Sequence, residues 1–593
     1  MPVRSRSARL VLGVALATLV TGSVPAYGTT ATTSAPRVFR VGTWNGIAGD
    51  QPSIEAAVAA AGPGDWILVG PGDYHPRMDY AGPQRSPNAP AGVLITTPGL
   101  HLRGMDRTDV VIDGTRPGAA PCSPDPADQD YGIPDASGKP SGRNGVEALL
   151  TSGVTFENFT VCNFLSGSAG SGNEIWWNGG DDSGRIGLGA WWGSFLSATS
   201  TFYDPGNPGS AAQYGLFVSN SDGPGSMTDT YASNFSDSGY YIGACGDCNA
   251  VIDRGHAEFN ALGYSGTNSG GHLLVQNSEF DDNQDGFDTN SQNSADPPSP
   301  QDGTCPNGET GPTGTRSCWV FRNNYVHDNN NPDVPGVGVA GSGPVGTGIS
   351  LAGARNDTVV HNRFVNNGSW AVLTTVFPDT APASSSNVPD CRGGVLGGSA
   401  FGVTVPCLYD VWGNEIADNT FSGNGGFGNP TNGDLADLSL PPAESPGAPG
   451  DCFHGNTGTG GVPATSWPLT LQITQGTCGW PVYPDPASDA VLAAEVGCAT
   501  QALFPCPPNL PAAAYPRRGT VVMPALPRQP TMPDPCAGVP VSNPWCPDAV
   551  TAASAAGSPR GIADRRPAVV FIAAGPNSSG ARRRRRGGSG GPR

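Results

Sequence analysis

A chain of 593 residues with 86 glycines, 59 prolines and only 14% charged side chains holds too many helix breakers for long helices, which points to short strands joined by many turns. Its formal net charge is −19, and nine of the 31 basic residues lie at the ends (Arg4, Arg6, Arg9 and six in the last twelve residues), so the body is more acidic still. That excludes nucleic acid as a natural partner and admits an acidic polysaccharide only where divalent cations bridge carboxylates on both sides.

Residues 1–28 read as a secretory signal peptide. Arg4, Arg6 and Arg9 precede the apolar run 10–20, and small residues follow around Val24, Ala26 and Gly28. The run is too short to span a bilayer and none like it recurs, so no integral membrane segment is expected. The mature chain is expected to be secreted, extracellular and monomeric. Fourteen cysteines agree, because an even set persists as disulfides under oxidising conditions. Closeness in sequence suggests the bridges Cys245/Cys248, Cys305/Cys318, Cys391/Cys407, Cys498/Cys506 and Cys536/Cys546. Cys122, Cys162, Cys452 and Cys478 remain to pair. Cys245-Gly-Asp-Cys248 has no second ligand pair at the spacing zinc needs.

The first predicted element is a helix over 54–61, capped by Ser53 and stopped by Gly62-Pro63-Gly64-Asp65 before a strand at 66–69. Such a helix covers the open end of a repeat stack, where bare strand edges invite aggregation. Strand-sized runs at 92–97, 100–103 and 110–112 then make one coil of about 22 residues. In the middle of the chain Gly215, Gly239, Gly263 and Gly286 are separated by 24, 24 and 23 residues. Phe235, Phe259 and Phe280 precede the last three, and Tyr325, Phe364 and Phe421 continue the phrase. A fixed period of this length marks a solenoid, in which no coil buries its own apolar face and stacking supplies the core.

The pattern Phe-x-x-x-Gly-aromatic-x-aliphatic, with Asn323-Asn324 and Asn366-Asn367 in the turns, resembles pectate-lyase-type parallel β-helix repeats. The expected fold is all-β: a single-stranded right-handed parallel β-helix over 40–430, with insertions at 291–317 and 379–407. A short N-terminal helix caps it. An irregular, disulfide-tied Pro/Ala/Cys-rich region follows over 431–560, with a helix candidate at 489–496 and a disordered basic tail at 561–593.

Strand alternation sends Tyr240, Tyr264 and Phe287 inward and sets Tyr241, Ser265 and Asp288 in one outward column. Around Asp288 lies the densest chemistry in the chain: Asp281, Asp282, Asp285 and Asp288 place four carboxylates within eight residues, a candidate Ca²⁺ site because hard cations want many oxygen ligands. Asp285-Gly286-Phe287-Asp288 resembles the calcium motif of family 9 pectate lyases, which implies Asp285 and Asp288 as ligands of a catalytic calcium. The further Asp of that family is Gln284 here. Gly286-Phe287-Asp288 also resembles mannuronan C5-epimerases, whose following Pro-His is Thr289-Asn290 in this chain.

A uronate lyase needs a base beside the cation to take the proton α to a carboxylate. The single lysine, Lys139, sits in a Ser/Gly/Pro loop, which leaves Arg254, Arg322, Arg355 and Arg363 as candidates near Asp288 in coil count. Trp176, Trp177, Trp191 and Trp192 are candidates for stacking on sugar rings, or else anchor a long excursion. His256, His272, His327 and His361 show no i, i+4 pair and are expected to be structural. There is no Gly-x-Ser-x-Gly elbow. Three functions follow: a calcium-dependent polysaccharide lyase acting on uronate-containing glycan, a non-catalytic glycan-binding β-helix with a structural calcium, and glycoside hydrolysis by paired carboxylates such as Asp285 and Asp288.

Overall fold

The computed structural model describes residues 35–76, 90–168, 171–180, 185–292, 319–379, 395–396, 399–400, 403–404, 407–439, 447–481, 485–500, 506 and 515–549. Between them runs a right-handed parallel β-helix of three strands per coil. Sheet one is 11-stranded and contains Tyr214–Ser219, Ser238–Gly243, Leu262–Thr267, Asp285–Asn290, Thr347–Ala352 and Trp370–Thr375, all parallel. Sheets two and three stack the other two strands of each coil. The long strands Gly225–Ser233 and Ala250–Glu258 run around the corner between them and join them into one 20-stranded sheet.

The predicted register holds. Tyr240, Tyr264 and Phe287 pair across neighbouring coils and point inward, at most 1% exposed, with Tyr264 and Phe287 stacked at 4.2 Å. The periodic glycine has a steric cause. A Cβ on Gly263 would stand 2.3 Å from the Gly286 carbonyl oxygen and 3.0 Å from the Phe280 ring, and one on Gly286 would stand 2.6 Å from the Gly348 carbonyl oxygen. Only glycine lets the next coil approach that closely.

Asparagines hold the corners. Asn260, Asn283, Asn329, Asn367 and Asn424 form a ladder in which each side-chain amide donates to the next Oδ1 at 3.0–3.2 Å. Asn324, Asn362, Asn419 and Asn456 repeat it at the other corner. The residue before each ladder position is often left-handed, as at Asp282, Asn323, Asp328 and Asn366, a conformation Asn and Asp tolerate. Buried amides are thus paired without introducing charge.

The N-terminal helix is Ile54–Ala60. Ser53 Oγ accepts from the Ala56 N–H, and Ile54 and Ala57 are buried in the core of the first coil. The solenoid itself extends past the expected limit of 430: Gly433–Leu438 pairs with Trp370–Thr375, Cys452–His454 pairs with Glu415–Ala417, and Ser466–Trp467 closes sheet one. These last strands lack the aromatic-glycine phrase, which is why periodicity stops short of them. The C-terminal helix is Pro486–Ala499, longer than 489–496, with Asp485 Oδ1 accepting from the Ser488 N–H. Its Leu492 and Val496 pack on Trp370, Leu373, Ala436 and Leu438.

After it, residues 515–549 run back along the solenoid towards its start. Contacts fall in order: Arg518 Nη1 donates to Gly336 O, Asn234 Nδ2 to Pro524 O, Thr531 Oγ1 to Asn158 Oδ1, Arg103 Nη1 to Ala537 O, and Trp545 Nε1 to Ile47 O. The irregular region is therefore a strap across many coils. Within the 379–407 insertion, Phe377–Asp379 and Val395–Leu396 pair antiparallel with Cys407–Tyr409.

Cys245–Cys248, Cys498–Cys506 and Cys536–Cys546 are bonded as expected, and the four remaining cysteines pair as Cys122–Cys162 and Cys452–Cys478. Cys305, Cys318 and Cys391 lie outside the described residues, as do the candidate signal peptide, the 561–593 tail and most of the 291–317 insertion. Among the described residues no helix is long and apolar enough to cross a membrane.

Candidate functional site

The outward column of sheet one runs through Trp176, Phe217, Tyr241, Ser265, Asp288, Ser350 and Leu373, each paired with the next. Asp288 stands in it as expected, yet it is only 9% exposed. The loop around Val337–Pro344, the stretch Thr375–Pro378 and the helix Pro486–Ala499 roof this part of the sheet and leave a cavity of about 520 Å³. Gln284, the position where the pectate-lyase motif has an acid, holds the roof: its Nε2 donates to Gly341 O and Gly343 O.

Asp237 and Asp288 both line this cavity, with Tyr214, Tyr241, Phe377 and several amides and hydroxyls; no Lys, Arg or His is among the described lining residues. Asp285 lies behind Asp288, fully buried. Ser350 Oγ is 2.7 Å from Asp285 Oδ2 and 2.8 Å from Asp288 Oδ2, so the two carboxyls are at most 5.5 Å apart. A hydroxyl has one proton to give. A second proton on the pair satisfies the other contact.

The environment favours that proton. Burial, then the charge of Asp288, hold Asp285 well above the usual carboxylate range, and burial raises Asp288, whose Oδ1 accepts from Asn290 Nδ2. Burial also pushes Asp237 up to about 7, the Asp288 charge adding to it, against a Tyr214 hydroxyl that donates to Oδ2 at 2.9 Å. An aromatic run adjoins: Trp176 stacks on Phe217, Tyr214 stacks on Phe217, and Tyr241 meets both Tyr214 and Phe217 edge-on.

The four aspartates do not converge on one ion. The chain turns at Asp282-Asn283, with Asp282 left-handed and Asn283 in the buried ladder, so Asp281 and Asp282 belong to sheet three and Asp285 and Asp288 to sheet one. Asp281 instead meets His256, whose Nε2 is 2.7 Å from its Oδ1. Asp282 has Asp281, Asp328 and Glu258 as charged neighbours and, mainly through burial, a raised pKa.

None of the candidate bases reaches Asp288. Arg254 sits at the corner of sheets two and three, ion-paired with Asp229 and Asp253. Arg322 donates twice to Gln276 Oε1. Arg355 is buried, donates through Nε to Asp410 O and lies over the Trp412 ring. Arg363 lies over the Tyr325 ring. Lys139 is exposed in the 135–139 turn.

The tryptophans do not form one platform either. Alternation puts Trp177 and Trp191 in the core, 5.2 Å apart and unexposed. Trp192, 40% exposed, faces out from sheet two, and Trp176 alone joins the aromatic run on sheet one, its Nε1 donating to Ser219 Oγ.

Asp237, Ser350, Tyr214 and Phe217 went unremarked in the sequence. A signal existed for Ser350. Gly348-Ile349-Ser350-Leu351 repeats the glycine phrase in register with Asp288, hidden by the long insertion before it.

No protein-family model and no curated protein sequence matches this chain. Among solved structures it is similar to the A-module of a mannuronan C-5 epimerase from Azotobacter vinelandii (15% identity, 69% of this chain and 90% of that one, TM-score 0.39). It is also similar to a rhamnogalacturonan lyase (10% identity, 65% and 82%, TM-score 0.37) and a pectate lyase (15% identity, 72% and 82%, TM-score 0.32). At these values the likeness is one of fold class only.

Proposed function

We propose that the protein is an extracellular, carbohydrate-interacting β-helix protein whose ligand site is the roofed cavity on sheet one, and that Asp237 and Asp288 act there as an acid–base pair on a neutral glycan. The observation that carries this reading is that two proton-binding carboxyls line one cavity whose described lining has no cationic side chain. Carboxyls whose proton affinities are raised by burial, and for Asp237 also by the charge of Asp288, are what general acid–base cleavage of a glycosidic bond requires. Asp285 does not line the cavity. It lies behind Asp288 and shares the Ser350 hydroxyl with it, which fixes the position of the Asp288 carboxyl. Tyr214 and Tyr241 offer faces for a sugar ring. Extracellular placement is supported by the signal-like N-terminus and the five described disulfides.

Lyase chemistry lacks support, because among the described residues no Lys, Arg or His lines the cavity to take a proton α to a carboxylate or to pair with a uronate. Incubation with neutral and uronate-containing polysaccharides separates the readings. Release of reducing ends from a neutral glycan, reduced at least about 100-fold by Asp288→Asn or Asp237→Asn, supports hydrolysis. Ultraviolet absorbance from unsaturated uronate overturns it. Binding to neutral glycan without turnover leaves a non-catalytic glycan-binding protein.

Calcium at Asp285 and Asp288 is the second reading. It is favoured by Asp285 Oδ1, which is buried with no hydrogen-bond partner among the described residues, and by two carboxyls brought together by one hydroxyl. These residues and Ser350 supply fewer oxygens than the six to eight calcium takes, so water or ligand oxygens would complete the shell. Calorimetric calcium titration of wild type and Asp288→Asn tests it: heat abolished by the substitution supports the site, and no heat in the wild type removes it.

A further inference from the structure

The open face of sheet three carries a second constellation, remote in chemistry from the cavity. Alternation buries Ala257, Phe280 and Val326 and displays the residues on either side of them, so three adjacent strands present His256 and Glu258, Glu279 and Asp281, and Tyr325 and His327. Neighbouring strands lie about 4.8 Å apart, which brings these side chains within reach of one another although those on different strands are 21 to 71 residues apart in sequence. His256 Nε2 is 2.7 Å from Asp281 Oδ1 and 3.9 Å from Glu258 Oε2; His327 Nε2 is 3.0 Å from Glu279 Oε1. One donor atom from each of His256, Glu258 and Asp281 lies within 4.8 Å of the other two, and the same is true of Glu279, Asp281 and His327.

The geometry points to a zinc-class divalent cation site centred on Asp281, with His256 and Glu258 on one side and Glu279 and His327 on the other. A tetrahedral ion about 2.0–2.2 Å from each ligand separates its donors by about 3.4 Å, inside the spacing seen here. Imidazole nitrogens with carboxylates select zinc, copper or nickel over calcium, whose ligands are oxygen. The backbone that displays them is rigid, since each strand is paired on both sides. Each set offers three protein ligands and a partly exposed mouth, which leaves a coordination position for water or a ligand oxygen. This inference is independent of the proposed glycan site.

The test uses the untagged full chain. Zinc is titrated calorimetrically in a non-chelating buffer, and cobalt is titrated in parallel with its visible absorption as the readout of nitrogen and oxygen coordination. Micromolar or tighter zinc binding that Asp281→Asn weakens at least about tenfold, while His272→Gln at another corner leaves it unchanged, supports the site. Wild-type binding no tighter than millimolar, or equal binding by Asp281→Asn, overturns it. If Asp281→Asn does not fold, His256→Gln and His327→Gln replace it, and unchanged affinity in the double variant likewise overturns the site.

Discussion

Asp281 and Asp288 come from one eight-residue run and end in opposite circumstances. On sheet three, Asp281 is as little exposed as Asp288, at 9%, and meets the imidazole of His256. On sheet one, Asp285 and Asp288 lie beneath a roof of loop and helix, with no Lys, Arg or His among the described residues that line the cavity, and their proton affinity rises. The residue type is the same. With exposure equal, the neighbour makes the difference: an imidazole can balance a buried carboxylate, whereas a hydroxyl or an amide does not repay the desolvation of the charged form.

The comparison breaks most severely at its shared core. Phe287→Ala removes the ring between Asp285 and Asp288 that stacks on Tyr264 and meets Phe280 and Phe321, and is expected to cost about 3–5 kcal/mol in chemical denaturation. Asn283→Ala comes next. It strands the Ala257 carbonyl and the Asn260 N–H at the corner that separates the two faces, with an expected loss of about 2–3 kcal/mol. A loss under half that would mean water replaces the ladder.

Ser350→Ala sharpens the contrast on the covered face. It removes the hydroxyl shared by both carboxyls and is expected to destabilise by about 1–3 kcal/mol, and by less as the pH falls and a carboxyl proton bridges the pair. On sheet three, His256→Gln is expected to cost about 1–2 kcal/mol, since it takes the imidazole from a largely buried Asp281.

The covered face also carries a pH dependence, added by Asp237. Its folded pKa, about 7, exceeds its unfolded value near 3.8, so the folded state binds more protons between those limits. Its contribution is therefore fully present below about pH 4 and is lost as pH rises through about 7. Denaturation midpoints of Asp237→Asn should lack this component, and equal slopes in both proteins between pH 5 and 8 would refute it. Hydrolysis that depends on protonated Asp237 should fall over the same window.

The glycine spacing of 24, 24 and 23 residues carried the solenoid, its register and the inward ring column, because a repeated close approach of backbones demands the same residue each time. Local signals also sufficed for the Ser53 cap and three short disulfides. The candidate site was less legible. Alternation predicted that Asp288 points outward, but whether outward means solvent depended on a helix some 200 residues later and on a loop anchored by Gln284. Four neighbouring aspartates looked like one calcium site because sequence distance cannot show a corner. The histidines looked isolated because their partners lie one coil away, at separations that helical spacing rules do not search.

What the sequence determined by itself is therefore everything that repeats: the coil, the facing of each strand residue and the turn asparagines, all set by contacts between a residue and its counterpart one period on. What only the tertiary structure decided is everything that happens once: the roof over sheet one, the strap of residues 515–549, and the division of one acidic run between two faces. Those depend on long-range contacts between unlike segments, which no local pattern encodes. They also set the dielectric around each carboxyl and so decide whether it holds a charge or a proton.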